Sequence, residues 1–102
     1  MNKIQQLHEF LKENPKDTFL RYALALEYVK VNELAMAKSA FEELILQDPD
    51  YLPTYYQYGN LLAEIGLLEL AEDIYKKGME IATSQNKLKT RQELERAIFL
   101  LD

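Results

Sequence analysis

The residues that could carry catalysis are few in this sequence. It contains one histidine, His8, no cysteine and three glycines. Catalysis needs nucleophiles, acid–base groups or a metal held in a preorganised site. Thiol nucleophiles, disulfides and thiolate ligands are excluded because cysteine is missing, and His8 has no partner histidine at i+3 or i+4. We therefore expect no catalytic residue, no metal and no cofactor, and an enzyme of an unfamiliar kind is the least favoured hypothesis.

Two pairs of adjacent acids, Glu42-Glu43 and Glu72-Asp73, could suggest acid–base chemistry or cation binding. Adjacent residues on a helix point about 100° apart, so the two carboxylates of a pair do not converge. We interpret both pairs as parts of a solvated outer face. His8 is interpreted as a solvated surface residue, with metal binding or pH sensing as the alternative.

The composition is that of an ordinary folded domain, with 48% hydrophobic and 28% charged residues in 102 positions. The formal net charge is −5, and it arises in the middle of the chain. An acidic chain without a basic stripe gives little support for binding nucleic acid or an anionic membrane surface. The N-terminus lacks an apolar secretion signal and no run is long enough to span a membrane, so we expect a cytoplasmic location.

A period of 34 residues organises the chain. Pro15 and Pro49 lie one period apart, and each precedes a long apolar-periodic segment. Seven positions superpose when the chain is shifted by this period. The first set is Arg21-x-x-Leu24-Ala25-x-x-Tyr28, Ala37-x-x-x-Phe41 and Pro49, and the second is Tyr55-x-x-Tyr58-Gly59-x-x-Leu62, Ala71-x-x-x-Tyr75 and Thr83.

The spacing of these positions indicates packed pairs of helices. Small residues recur beside large ones, as close helix packing requires, and they are Ala25, Gly59, Ala37 and Ala71. A glycine within a helix costs about 1 kcal/mol relative to alanine, so Gly59 predicts a close approach of another element. The sequence predicts that the recurring aromatics form the core, namely Tyr28, Phe41, Tyr55, Tyr58 and Tyr75.

The pattern resembles the tetratricopeptide repeat, W-x2-L-G-x2-Y followed by A-x3-F and P, over residues 18 to 85. Two residues depart from it, since Arg21 stands at the large aromatic position and Thr83 at the closing proline. The resemblance implies an all-α fold, a right-handed α-α superhelix of about six antiparallel helices. We expect these helices near 2–13, 18–30, 34–47, 53–65, 68–83 and 87–101.

We expect residues 1–102 to form a single domain of this kind. Its parts are an N-terminal half-repeat helix over 1–17, repeat 1 over 18–51, repeat 2 over 52–85 and a C-terminal capping helix over 86–102. The apolar face of the first helix is predicted to comprise Ile4, Leu7, Phe10 and Leu11, and that of the last Leu88, Leu94, Ala97, Ile98 and Leu101. These two helices supply the third unit that a stable helical array needs.

The resemblance implies a non-catalytic protein–protein interaction module, a scaffold or adaptor whose concave face binds a peptide or helix of a partner. The first helix of each repeat lines that face. The candidate partner-binding residues are Phe19, Tyr22, Leu26 and Val29 in repeat 1, and Tyr56, Gln57, Asn60 and Glu64 in repeat 2. Tyr22 and Tyr56 share one register and are the preferred pair, and a groove this short predicts micromolar affinity.

Three alternatives concern the same surface. Phe19 and Tyr22 could pack under the N-terminal helix with Phe10 and Leu11. The apolar stripe around Phe19 and Tyr22 could instead form a homodimer. Some members of the family grip a C-terminal carboxylate with Lys, Asn and Arg, but the matching places here are Tyr22, Leu26, Gln57 and Asn60, so an apolar or mixed segment is favoured.

Overall fold

The computed structural model describes residues 1–101, which contain six α-helices and no strand. The helices are α1 (Lys3–Glu13), α2 (Thr18–Lys30), α3 (Leu34–Gln47), α4 (Pro53–Glu64), α5 (Leu68–Ser84) and α6 (Leu88–Phe99). The all-α helical repeat fold expected from the sequence is confirmed, and most helix ends agree with the expected ones within a residue.

The helices fall into two compact units, unit 1 from Met1 to Tyr51 and unit 2 from Leu52 onward. In unit 1, α2 packs against both α1 and α3. In unit 2, α5 packs against both α4 and α6. The boundary coincides with the expected start of repeat 2. The organisation as a single domain with a half-repeat and a cap stays a prediction.

Three of the turns have the same construction. Each contains one residue in the left-handed region, with φ of 63° at Asn32, 87° at Gly66 and 60° at Asn86. The amide of the next residue then donates to the carbonyl five residues earlier, at 2.8–2.9 Å. This bond satisfies a carbonyl at the helix end, so the chain reverses there without an unpaired group.

The other two turns contain a proline. Pro15 and Pro49 follow the C-caps of α1 and α3, because the residue before a proline is disfavoured in a helix. Thr83 stands at the equivalent place in unit 2, and α5 continues through it to Ser84. The Thr83 hydroxyl donates to the carbonyl of Met79 at 2.9 Å. The absence of proline thus makes α5 three residues longer than α3, with 17 residues against 14.

The cores of the two units form from the recurring positions, as expected. Ala25, Ala37 and Ala71 have no exposed surface. The recurring aromatics are at most 7% exposed, and they are Tyr28, Phe41, Tyr55, Tyr58 and Tyr75. Burying a large apolar side chain contributes about 1.5–3 kcal/mol, so these aromatics carry much of the stability.

Two residues predicted to lie on apolar faces are exposed instead. Phe10 is 54% exposed, because Ile4, Leu7 and Leu11 share the stripe that meets α2 while Phe10 lies beside it. Leu88 is 64% exposed, and it lies about 120° around α6 from the fully buried Leu94. Both predictions were wrong because a helix packed on one neighbour buries only a narrow stripe.

The polar residues singled out in the sequence lie at the surface. Three of the four adjacent acids form ion pairs on it, Glu42 with Lys38, Glu43 with Arg21 and Glu72 with Lys76. His8 is exposed as expected, and its Nε2 lies 3.1 Å from the Tyr28 hydroxyl.

Candidate functional site

The first helix of each repeat has one face that is only partly covered. The α2 face consists of Phe19, Tyr22, Leu26 and Val29, and the α4 face of Tyr56, Gln57, Asn60 and Glu64. The α2 set follows the three- and four-residue spacing of one side of a helix, and in the α4 set Tyr56, Asn60 and Glu64 are four residues apart with Gln57 next to Tyr56. Each face belongs to its own unit, α2 to unit 1 and α4 to unit 2.

The α2 face is apolar and begins with an exposed aromatic. Phe19 is 66% exposed, while Tyr22, Leu26 and Val29 are half-buried. Phe10 is also mostly exposed. Phe19 is therefore not packed under α1 with Phe10, which corrects the alternative in which the N-terminal helix covers it.

Tyr22 contacts a residue that the repeat pattern does not include. Its ring meets Tyr51 edge to face, with 5.5 Å between the ring centroids and 69° between the planes. Tyr51 lies just beyond α3, in a segment tied to the start of α2 by a 2.8 Å hydrogen bond from the Thr18 hydroxyl to Asp48 Oδ2. The start of α2 and the end of repeat 1 thus together position Tyr22.

The α4 face contains a polar and aromatic group that we call the Tyr–Asn cluster, made of Tyr56, Asn60 and Tyr75. The buried Tyr75 donates its hydroxyl hydrogen to Asn60 Oδ1 at 2.5 Å. The rings of Tyr56 and Tyr75 are 6.4 Å apart and tilted by 47°. Tyr56 is 38% exposed, and Asn60 is exposed. The hydrogen bond from Tyr75 orients the side-chain amide of Asn60, and the NH2 group of that amide has no partner within residues 1–101.

Gly59 makes this arrangement possible. A Cβ built at Gly59 would lie 2.8 Å from Cζ of Tyr75 and closer still to Cδ1 and Cε1 of the same ring. The ring of Tyr75 therefore occupies the space of the missing side chain. The close approach predicted from the mid-helix glycine is confirmed, and it brings the Tyr75 hydroxyl to the α4 face.

Unit 1 lacks such a cluster at the equivalent positions. Ala25 stands in place of Gly59, Phe41 in place of Tyr75 and Leu26 in place of Asn60. The phenylalanine has no hydroxyl to donate, and the leucine has no amide to orient. The two faces therefore differ in chemistry, since α2 presents apolar groups and α4 presents an aromatic ring beside hydrogen-bonding groups.

The electrostatics of the cluster favour a neutral tyrosine. Burial, and to a smaller extent the neighbouring Tyr56, raises the pKa of Tyr75 above its usual 10.0. Tyr75 therefore keeps its proton at neutral pH and remains a donor to Asn60.

Glu64, at the C-terminal end of the α4 face, is exposed and forms no ion pair within residues 1–101.

The described part of the chain has neither a metal-binding cluster nor a helix that could cross a membrane. Within residues 1–101, no three His, Asp or Glu side chains come together in a group that could hold a metal ion. No helix in that range combines the length and the apolarity needed to cross a membrane.

Sequence reasoning missed two supporting residues. Tyr51 lies outside the repeating positions, and nothing in the pattern distinguishes it. The repeat pattern predicts Tyr75 as a core residue, which is correct for its ring but does not account for its hydroxyl. A signal was present, because Tyr75, Asn60 and Gly59 all differ in type from their equivalents one period earlier.

Comparison with solved structures gives several matches of the same architecture. A tetratricopeptide repeat domain protein from Salinibacter ruber is 39% identical, with a TM-score of 0.82 over 86% of this chain and 89% of that one. The TPR2B domain of yeast Sti1, solved in a complex with pHsp70, is 14% identical with a TM-score of 0.88 over 96% and 78%. YrrB, described as a TPR protein with an unusual peptide-binding site, is 19% identical with a TM-score of 0.67 over 92% and 56%.

A search of the curated proteins finds no significant match. The model of the family described as Tetratricopeptide repeat matches residues 20–51 and 52–85, which correspond to repeat 1, expected over 18–51, and repeat 2, expected over 52–85. The family match covers more than half of the chain and agrees with the packing of both units. This chain therefore belongs to the tetratricopeptide repeat family.

Proposed function

We propose that this protein is a non-catalytic scaffold or adaptor that holds a peptide or helix of a partner protein on the α2 and α4 faces. The tetratricopeptide repeat is generally a non-catalytic, protein-binding fold. The partner contacts Tyr22 and Tyr56 as aromatic anchors and takes hydrogen bonds from Gln57 and Asn60. A cytoplasmic location remains a prediction from the sequence.

The observation that supports this proposal most is the Tyr–Asn cluster. Tyr56 offers a partly exposed ring, and Asn60 offers an amide whose NH2 group is unpaired in the described part of the chain. A peptide carbonyl can accept from that NH2 while an apolar side chain lies against the ring. Tyr75 fixes the amide beforehand, so less conformational freedom is lost when the partner binds.

The structural relatives are consistent with this proposal. The TPR2B domain of Sti1 was solved in a complex with pHsp70, and YrrB is described as having a peptide-binding site. Both are under 25% identical to this chain. They support the use of the fold for holding peptides, while the identity of the partner must come from experiment.

The test is capture of partners from a lysate on the immobilised full chain, with wild type, Tyr22→Ala, Tyr56→Ala and the double variant compared side by side. A matched control is Leu46→Ala, which removes an 84% exposed apolar side chain from α3 and leaves both first helices intact. Aromatic anchors in interfaces often contribute more than 1 kcal/mol, so each tyrosine variant should weaken binding about tenfold. Far-UV circular dichroism checks that helicity is unchanged.

A partner retained by the double variant as strongly as by wild type would refute the assignment of these faces. A partner lost equally on Leu46→Ala would mean that the capture reports general surface stickiness. Either result would refute the proposed binding site but would not contradict the fold.

A homodimer is the second candidate, and the exposure of Phe19 favours it. A side chain of this size that is 66% exposed can be covered by a second copy of the chain. Light-scattering mass over a concentration series tests this idea directly. A dimer that dissociates in Phe19→Ser would support it, and a monomer at every concentration would exclude it.

A further inference from the structure

Three large apolar side chains are exposed where the turn after α4 leads into the first turn of α5. Leu67 is 44% exposed, Leu68 45% and Leu70 39%. They line an open depression of about 590 Å³ together with Gly66, Glu69 and Asp73. We call these six residues the turn patch. It lies entirely within unit 2 and contains none of the residues of the α2 and α4 faces.

Unit 1 builds the same turn with Leu34 and Met36 at the places of Leu68 and Leu70, so the fold calls for apolar residues there but does not require Leu67, Glu69 and Asp73. The N-caps have nearly identical backbone angles, φ −89° and ψ 70° at Glu33 of unit 1 and φ −89° and ψ 68° at Leu67. Ala35 and Ser39 stand where unit 2 has Glu69 and Asp73. A leucine at an N-cap makes no capping hydrogen bond, so Leu67 is a poor choice for helix stability alone.

The two acids of the turn patch repel each other, although Glu69 lies in the first turn of α5, where the helix dipole favours a negative charge. Glu69 and Asp73 are four residues apart on α5, so they are neighbours of like charge on one helix surface. Neither forms an ion pair within residues 1–101, and the nearby Lys76 pairs with Glu72 at 2.8 Å instead. The depression is thus lined by leucines and by two carboxylates outside any ion pair, and Lys76, which is paired with Glu72, also attracts the carboxylate of Asp73.

We infer that the turn patch docks a basic amphipathic helix of a partner protein, a second binding surface beyond the α2 and α4 faces. Apolar side chains of that helix fill the depression between Leu67, Leu68 and Leu70, and its Lys or Arg side chains pair with Glu69 and Asp73. Charge complementarity selects this occupant. A second copy of the chain docked patch to patch would set these carboxylates against their own equivalents, which is repulsive.

The probe is a synthetic helical peptide of about 18 residues, or five turns, with leucines on one side and lysines on the other. Its twin carries glutamates in place of the lysines. Each is titrated into the ¹⁵N-labelled full chain, and amide shifts are followed by NMR. We expect the lysine peptide to shift the amides of residues 66–73, to bind at least tenfold more tightly than its twin and to weaken as salt is raised.

The first variant uses residues that unit 1 carries at the equivalent places. Glu69→Ala/Asp73→Ser installs the residues of unit 1 and should reduce affinity for the lysine peptide about tenfold, since two charge pairs are lost. Leu70→Gln should give a similar loss. Its matched control is Met36→Gln, at the equivalent place in unit 1, where a 50% exposed side chain changes and affinity should stay within twofold. Circular dichroism confirms folding of each variant.

Several outcomes would overturn this inference. These are equal binding of the two peptides, no binding at millimolar peptide, shifts confined to the α2 and α4 faces, or unchanged affinity in Leu70→Gln. Self-association removed by Leu70→Gln would assign the patch to a second copy. Tyr22→Ala/Tyr56→Ala separates the two proposals, because it should abolish capture by the first-helix faces and leave the lysine peptide bound at the turn patch.

Discussion

Replacing Gly59 with alanine should destabilise the protein even though alanine is the better helix former. The added Cβ would lie within 2.8 Å of the Tyr75 ring, a separation that side-chain atoms do not tolerate. Tyr75 cannot withdraw easily, because its ring is buried and its hydroxyl is bonded to Asn60. The same alanine is accommodated in unit 1, where Ala25 is fully buried.

The magnitude follows from two opposing contributions. Overpacking a core position costs about 1–3 kcal/mol, and replacing a mid-helix glycine by alanine returns about 1 kcal/mol. We expect Gly59→Ala to lower the free energy of unfolding by about 1 kcal/mol, which for a domain of this size lowers Tm by about 4–8 °C. The reciprocal change, Ala25→Gly, should cost about 2 kcal/mol, because it loses helix propensity and a buried methyl group together.

The assay is urea unfolding of the full chain followed by far-UV circular dichroism, with Tyr75→Phe completing a double-mutant cycle. Tyr75→Phe alone loses one hydrogen bond, about 1 kcal/mol. In Gly59→Ala/Tyr75→Phe the ring at 75 is no longer bonded to Asn60. It can then shift away from the new methyl group, as the equivalent pair Phe41 and Ala25 of unit 1 shows that a phenylalanine and an alanine are compatible at these two places. The double variant should then be about 1–2 kcal/mol more stable than the sum of the single effects predicts. A stabilised Gly59→Ala, or strict additivity, would refute the explanation.

Two further predictions concern buried hydroxyl groups. The pKa of Tyr75 is higher in the folded state than in the unfolded chain, where it is near 10, so the protonated hydroxyl stabilises the folded state fully below pH 10. This stabilisation is lost as the pH rises through the pKa of the folded state. Tm measured from pH 8 to 11 should therefore fall more steeply in wild type than in Tyr75→Phe. Thr54 is fully buried, and its hydroxyl has no hydrogen-bond partner within residues 1–101. Thr54→Val removes this unpaired hydroxyl and should raise the free energy of unfolding by about 1 kcal/mol. A fall in Tm would contradict this reasoning.

The sequence was sufficient to predict the helices and most of the core. The 34-residue period places the small and large residues of each helix pair, and burial is set by this spacing, so Ala25, Phe41 and Tyr58 lie where the pattern predicts. The turns could also be predicted, because asparagine and glycine, here Asn32 and Gly66, are the residues that most readily adopt a positive φ, and Pro49 disfavours helix at the residue before it. Phe10 and Leu88 could not be read correctly, since a hydrophobic type does not specify which edge of a helix its neighbour covers.

The chemistry of the candidate site depended on the tertiary structure. The residue types at 56, 60 and 75 were visible in the sequence, yet the bond from Tyr75 to Asn60 exists only because Gly59 lets α4 and α5 approach closely. The exposure of Leu67, Leu68 and Leu70 likewise follows from the path of the turn. The sequence determines which side chains share one face of a helix. The distance and rotation between packed helices determine which of these side chains contact each other and which remain exposed to a partner.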